Sequence, residues 1–259
     1  MKRLHFYLLF LLLVPFNINA ETRLPVVSII IDDLGQDLQA AQQVIDLPGS
    51  VVSAVLPNTK HAQQVAFLTH YSGKEVILHQ PMQSVAGNRL GGGAIVLDMT
   101  RQQVWKTLES NLNKIPFAVG MNHHMGSLIS QHPGHMSWIM EYLKQRSDLF
   151  YIDSRTTKET VAQQLASEVG VRNTRRNVFL DHDVTEQAIS YQLHRMIRLA
   201  RRDGSAVAIG HPFPETISVL RREIPHFAEY GVRLVPVSEV IALRNGEKSR
   251  VVEVAGKAK

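Results

Sequence analysis

From residue 26 onward the chain repeats one arrangement: a short apolar run, a polar connection, then apolar residues spaced three and four apart. The runs are VVSIII (26–31), VVSAVL (51–56), EVILH (75–79), PFAVG (116–120), DLFYI (148–152), NVFLD (177–181), AVAIG (206–210) and VRLVPV (232–237). They are short and apolar at successive positions, which predicts strands covered on both faces. The segments between them carry helical spacing. Thr100 and Gln103 form a capping box ahead of Val104, Leu108 and Leu112. Val161, Leu165 and Val169 share a second helical face, which Gly170 terminates. A third helix, over about 184–202, aligns Ile189, Leu193, Met196 and Leu199 or Ala200.

Seven or eight strand–helix units predict an α/β fold, a parallel sheet closed as a (β/α) barrel of about seven strands. A doubly wound open sheet is the alternative. No break in composition divides residues 21–245, so they are read as one domain, followed by a polar tail at 246–259 in which RVVEV could add an edge strand. The glycine-rich NRLGGGA (88–94) lacks the Lys-Ser/Thr ending of a phosphate loop and is expected to be a plain loop.

The first twenty residues, MKRLHFYLLFLLLVPFNINA, depart from this pattern. Lys2 and Arg3 precede an apolar stretch from Phe6 to Phe16, and Ile18 and Ala20 precede Glu21. That is the form of a signal peptide (1–20) cleaved after Ala20, and the apolar run is shorter than the roughly 20 residues that span a bilayer. The expectation is a periplasmic chain with no membrane anchor after cleavage. Without Lys2 and Arg3, the remaining 26 basic and 23 acidic residues leave a charge of +3. This is too mild for a nucleic-acid partner, and RNTRR (172–176) and RLARR (198–202) are only local clusters. There is no cysteine, so thiolate chemistry is excluded and any metal must be held by histidine and carboxylate.

In parallel α/β folds functional groups gather at the carboxyl ends of strands. There this sequence places Asp32 and Asp33, His79, His123 and His124, Asp153, Asp181 with His182 and Asp183, and His211. Five of the twelve histidines fall at this rim. Two neutral imidazoles and a carboxylate leave a zinc-type cation one position for water, and a second carboxylate can act as general base. Such a division of labour would explain two adjacent acids at a strand end.

Five stretches, VVSIIIDDLG, GKEVILHQPM, NHHMGS, FYIDSRT and AVAIGHPFPET, resemble the divergent polysaccharide deacetylase family, distant relatives of metal-dependent polysaccharide deacetylases, over about residues 25–243. The resemblance implies a distorted (β/α) barrel that removes N- or O-acetyl groups from an envelope polysaccharide or a peptidoglycan-type amino sugar. It implies Asp32 as catalytic base, Asp33 and His79 as metal ligands, and His211 as the acid that protonates the leaving group. The expected cofactor is a divalent metal, zinc first. Position 83 departs from the typical pattern, which has a second metal histidine four residues after the first; Gln83 stands there instead. His124, reaching the rim from the next strand, is expected to replace it. The arginine–proline motif typical of that strand is also missing. These departures leave a second reading: a catalytically silent glycan-binding or envelope-interaction protein on the same barrel.

Asp153, Arg155 and Phe213 are the expected substrate-binding residues, with Phe213 and Trp138 as candidates to stack on a sugar. Plainer structural roles stand beside these. Asp32 could cap the helix after Gly35, and Asp153 could be an N-cap with Arg155 in an ion pair. Asp181 and Asp183 suit the N-terminal dipole of the long helix. His123 is expected to be a solvent-facing neighbour of His124, and Trp105 a core residue.

Overall fold

The structure, a computed structural model, describes residues 24–246. The predicted signal peptide, and the predicted tail beyond Gly246 with its RVVEV segment, lie outside the described residues. The strands are β1 (Val26–Leu34), β2 (Val52–Val55), β3 (Val76–Met82), β4 (Ala118–Met125), β5 (Phe150–Asp153), β6 (Asn173–Arg175), β7 (Val178–Phe179), β8 (Ser205–Gly210) and β9 (Arg233–Leu234). The helices are α1 (Leu38–Ile45), α2 (Ala62–Tyr71), α3 (Arg101–Leu112), α4 (Pro133–Gln145), α5 (Ala162–Val169), α6 (Glu186–Asp203), α7 (Pro214–Glu223) and α8 (Val237–Arg244). Every strand pairing is parallel, in the order β6-β5-β4-β3-β2-β1-β8-β7, with β9 against the start of β1.

This sheet curls into a distorted (β/α) barrel, as expected, and its core has two layers. Outside, the helices pack Val104 and Leu108 of α3, Met136 and Ile139 of α4, and Leu193 and Met196 of α6 against Val27, Ile29, Leu78 and Met121 of the sheet. Inside, Ile30, Ala54, Ile77, Phe150, Ile152, Val207 and Ile209 meet Val237, Val240 and Ile241 of α8. Burying each such aliphatic chain contributes about 1.5–3 kcal/mol, so both faces of every central strand are fixed by packing. The capping box at Thr100 and Gln103 forms, and Gly170 ends α5 with φ +77°.

Several strand boundaries differ from expectation. β3 and β4 run on to Met82 and Met125, carrying polar residues that look like loop in sequence. The run at 232–237 keeps only Arg233–Leu234 as strand, because Pro236 has no N–H for a ladder and instead precedes α8. The run at 177–181 shortens to Val178–Phe179, and Asn173–Arg175 forms an additional strand.

Among the described residues β6 and β7 share no ladder, so the barrel has a seam between them. Arg244, the last residue of α8, spans it. Its guanidinium donates to Thr174 Oγ1 (2.6 Å), Asn177 Oδ1 (2.9 Å), Ser205 Oγ (2.9 Å) and the Ser205 carbonyl (3.2 Å). Arg244→Leu removes all four bonds and leaves partly buried acceptors unsatisfied. The expected loss is about 2–3 kcal/mol, a drop of roughly 5–10 °C in Tm at this chain length. Thermal unfolding by circular dichroism checks it; a Tm within a degree of wild type would show that the seam holds without Arg244.

Candidate active site

Alternation along the strands carries the inner face of the barrel from apolar to ionisable. Ile30 points inside, and Asp32 follows two residues on; Ile77 is followed by His79, and Ile209 by His211 just beyond β8. Asn122 of β4 stands in register with His79, and His124 follows it on the same face. By the same rule Asp33 should face outward. Instead the β1–β2 register slips between Ile31 and Leu34, and Asp33 adopts φ +60°. The bulge brings two consecutive carboxylates to one site. Gly35 completes the turn at φ +113°, where a Cβ would collide with Thr59 Oγ1.

Asp33 Oδ1 lies 2.8 Å from His124 Nδ1 and 3.1 Å from His79 Nε2. One ligand atom from each of the three residues lies within 4.8 Å of the others. Asp33 Oδ1 is buried, and no hydrogen bond is assigned to it although both imidazole nitrogens lie close. Three electron-pair donors of the right chemistry thus converge on one point, and they fit a divalent cation of the zinc type.

The other edge of His79 is held separately. Its Nδ1 is 2.7 Å from Asn122 Oδ1, and Asn122 Nδ2 donates to Asp32 Oδ1 at 2.7 Å. Asp32 and Asn122 are buried. His211 Nδ1 is 3.0 Å from Asp181 Oδ1, while Asp181 Oδ2 accepts from the His211 N–H (2.6 Å) and from Thr216 Oγ1 (2.8 Å). The free edge of His211, Nε2, faces Asp33 Oδ2 at 3.9 Å.

These placements set the charges. Burial lifts the Asp32 carboxyl above its ordinary value, against the opposing pull of His79 and Asn122. Burial acts the same way on Asp33, but the two imidazoles hold it well below the usual carboxylate range. Burial alone would lower His79; the charges of Asp32 and Asp33 instead push it up to about 9. For His211, burial is likewise outweighed by Asp181, and its pKa is raised. Without metal at pH 7, His79 therefore carries a proton that a cation must displace. Zinc uptake is expected to release about one proton, and affinity is expected to rise up to about tenfold per pH unit from 7 towards 9, then flatten. Calorimetry in buffers of different ionisation enthalpy measures the proton count; zero released protons at pH 7 would contradict the raised His79. The same shift, from 6.5 unfolded to about 9 folded, stabilises the metal-free protein fully below pH 6.5. That contribution, on the order of 3 kcal/mol, is lost as pH rises through 9.

The remaining expected residues divide. Phe213 is 39% exposed, with its ring 5.7 Å from that of His211, and Phe179 flanks the same imidazole at 5.5 Å. Asp153 is fully buried and spends its oxygens on the Arg155 N–H (2.8 Å) and Thr160 Oγ1 (3.0 Å). It shapes the loop after β5 and, fully buried, presents no surface to a substrate. Nor is it a helix cap, since α5 begins only at Ala162. Arg155 sits at φ +49°, and among the described residues it makes no ion pair. Trp138 packs against the outer core, accepting the Trp105 indole N–H on its carbonyl (2.8 Å). Asp37, not Asp32, caps α1. His123 is not a solvent neighbour: it is buried, points out of the barrel with Nδ1 2.7 Å from Tyr151 Oη, and burial pushes it down to about 4.

Three residues have roles at the site that the sequence does not declare. Asp181 looked like a partner for the α6 dipole, yet it grips His211. Arg176 donates to the Ser154 (2.5 Å) and Arg155 (2.7 Å) carbonyls and lies 4.7 Å over the Phe179 ring, where the charges of Asp32, Asp153 and Asp181 act on it. NHHM reads as loop in sequence; taken as strand, alternation puts Asn122 and His124 inside and His123 outside.

Residues 29–241 match the family described as divergent polysaccharide deacetylase. The uncharacterized protein YibQ of Escherichia coli K12 is 38% identical over 197 residues, 76% of this chain and 61% of that protein. The chain thus spans about three-fifths of the length of that relative. The structure of the uncharacterized protein ATU2773 from Agrobacterium tumefaciens C58 superposes with a TM-score of 0.81 at 22% identity, covering 85% of this chain and 91% of that one. BA3943 of Bacillus anthracis, a CE4 family pseudoenzyme, shares the fold at a TM-score of 0.55 and 10% identity, covering 85% and 66%.

Proposed function

The chain belongs to the divergent polysaccharide deacetylase family, and from that premise we propose that it is a periplasmic, metal-dependent deacetylase. Its substrate is an amino-sugar polymer of the cell envelope carrying N- or O-acetyl groups. One observation carries the reading: a buried carboxylate oxygen without a hydrogen bond sits 2.8 and 3.1 Å from two imidazole nitrogens, beside a second, independently held carboxylate.

Asp33, His79 and His124 would hold the cation, zinc by preference, which supplies Lewis acidity for the acetyl carbonyl and for water. Asp32 takes the proton from the attacking water; burial raises its pKa and so strengthens it as a base. Asn122 occupies one of its oxygens and leaves the other for that proton. His211 supplies the proton to the departing amine or alcohol as the bond to the acetyl carbon breaks. Asp181 fixes its Nδ1 edge, so Nε2 is the atom that delivers. Phe213, exposed beside His211, offers a sugar a face to stack on.

The test is acetate release from N-acetylglucosamine oligomers and from acetylated peptidoglycan by zinc-loaded protein, and its loss after chelation. Zinc-loaded protein that releases no acetate from either would favour the silent glycan-binding reading. The periplasmic assignment rests on the charged and apolar first twenty residues. N-terminal sequencing of envelope-fraction protein is expected to begin at Glu21; a retained Met1 would overturn it.

A further inference from the structure

Among the described residues, Asn122 is the one side chain hydrogen-bonded to both the expected metal ligand His79 and the expected base Asp32, and it is buried between them. We infer that Asn122 is a positioning residue that locks His79 with its proton on Nδ1, so that Nε2 is free for a metal, and at the same time orients Asp32. This inference rests on the proposed metal-dependent deacetylase reading and assigns that site a further residue.

The amide can serve both neighbours in only one orientation. An amide has an acceptor end and a donor end, and here the acceptor Oδ1 meets His79 Nδ1 while the donor Nδ2 meets Asp32 Oδ1. Turned over, Nδ2 would face His79 Nδ1 and force the ring proton onto Nε2, the edge that Asp33 approaches at 3.1 Å. The amide oxygen would then meet the Asp32 carboxylate, acceptor against acceptor. The Asp32 carboxylate thus holds the amide, and the amide holds the imidazole. A histidine ligand whose second nitrogen is fixed in this way presents its lone pair in a set direction. Asp32 lies 3.7 Å from His79 Nδ1, too far for a hydrogen bond, so the amide is what links them.

Two substitutions separate this role from general damage. Asn122→Ala removes both bonds, and zinc affinity is expected to fall by about 10–100-fold. Asn122→Asp keeps an acceptor for His79 Nδ1 but sets a carboxylate against Asp32. Zinc affinity should stay within about threefold of wild type, while acetate release falls by about 100-fold, because two facing carboxylates share a proton and Asp32 loses its function as base. Zinc titration by calorimetry gives the affinities, thermal melts report folding, and the long-range proton–nitrogen NMR spectrum of the zinc-loaded protein reports whether Nδ1 of His79 carries hydrogen. The lock predicts a protected Nδ1–H in wild type and Asn122→Asp that is lost in Asn122→Ala. Wild type that takes up zinc, with Asn122→Ala binding it equally well, overturns the role of Asn122 alone. Equal losses of affinity in both variants also overturn it, since the retained acceptor would then make no difference. Wild type that takes up no zinc overturns the proposed function, and this inference with it.

Discussion

Asp32→Asn is expected to keep its zinc and lose about a thousandfold in deacetylation. Asparagine preserves the shape of the side chain and can still pair with Asn122, so the neighbourhood of His79 changes little. What disappears is the group that accepts the proton of water, and general bases typically contribute 10²–10⁴-fold, so a loss of about a thousandfold is expected. Asp33→Asn should behave in the opposite way. Its carboxylate is the anion at the centre of the three-residue group, so zinc itself is lost and activity goes with it. Metal content of the two purified variants, read beside acetate release, separates the roles. Equal zinc in both would show that the two acids have been assigned wrongly.

His124→Ala is expected to weaken zinc at least as much as His79→Ala, by 100-fold or more, since even outer partners of a ligand cost about 10–100-fold. Gln83→Ala should change affinity little. The reason is geometric. Four residues along a helix bring two side chains within about 6 Å, but four along a strand separate them by roughly 13 Å. β3 continues extended to Met82, so position 83 lies well away from His79. Gln83 is occupied there, with Oε1 accepting the Leu97 N–H at 2.8 Å. His124 reaches the site from the neighbouring strand, its ring centroid 5.2 Å from that of His79. Zinc titration of the three variants decides the matter. If His124→Ala bound like wild type, only Asp33 and His79 would remain as ligands, and the silent-barrel reading would become the better one.

Much of this was open to a reader of the sequence, and the division follows the range of the forces involved. Apolar runs and helical spacing are local, so the strands, the capping box at Thr100 and the Gly170 terminator could be read directly, and with them a parallel barrel with ionisable groups at one rim. Polar residues inside strands could not be read that way. The NHHM segment has no apolar alternation, and only pairing with β3 keeps it extended, which decides that Asn122 and His124 face inward and His123 outward. Likewise the pair Asp32-Asp33 declares two acids at a strand end. Only the bulge against β2, with Asp33 at φ +60°, brings both carboxylates to one site and places them on opposite edges of the His79 ring. The grip of Asp181 on His211 joins residues thirty positions apart across the β7–β8 pair, and Arg244 reaches about seventy positions back to Thr174. The sequence determines which residues are available and which strand end each occupies. Their partners are decided by the closure of the sheet, because hydrogen bonds and charges act over a few ångströms of space whatever the distance along the chain.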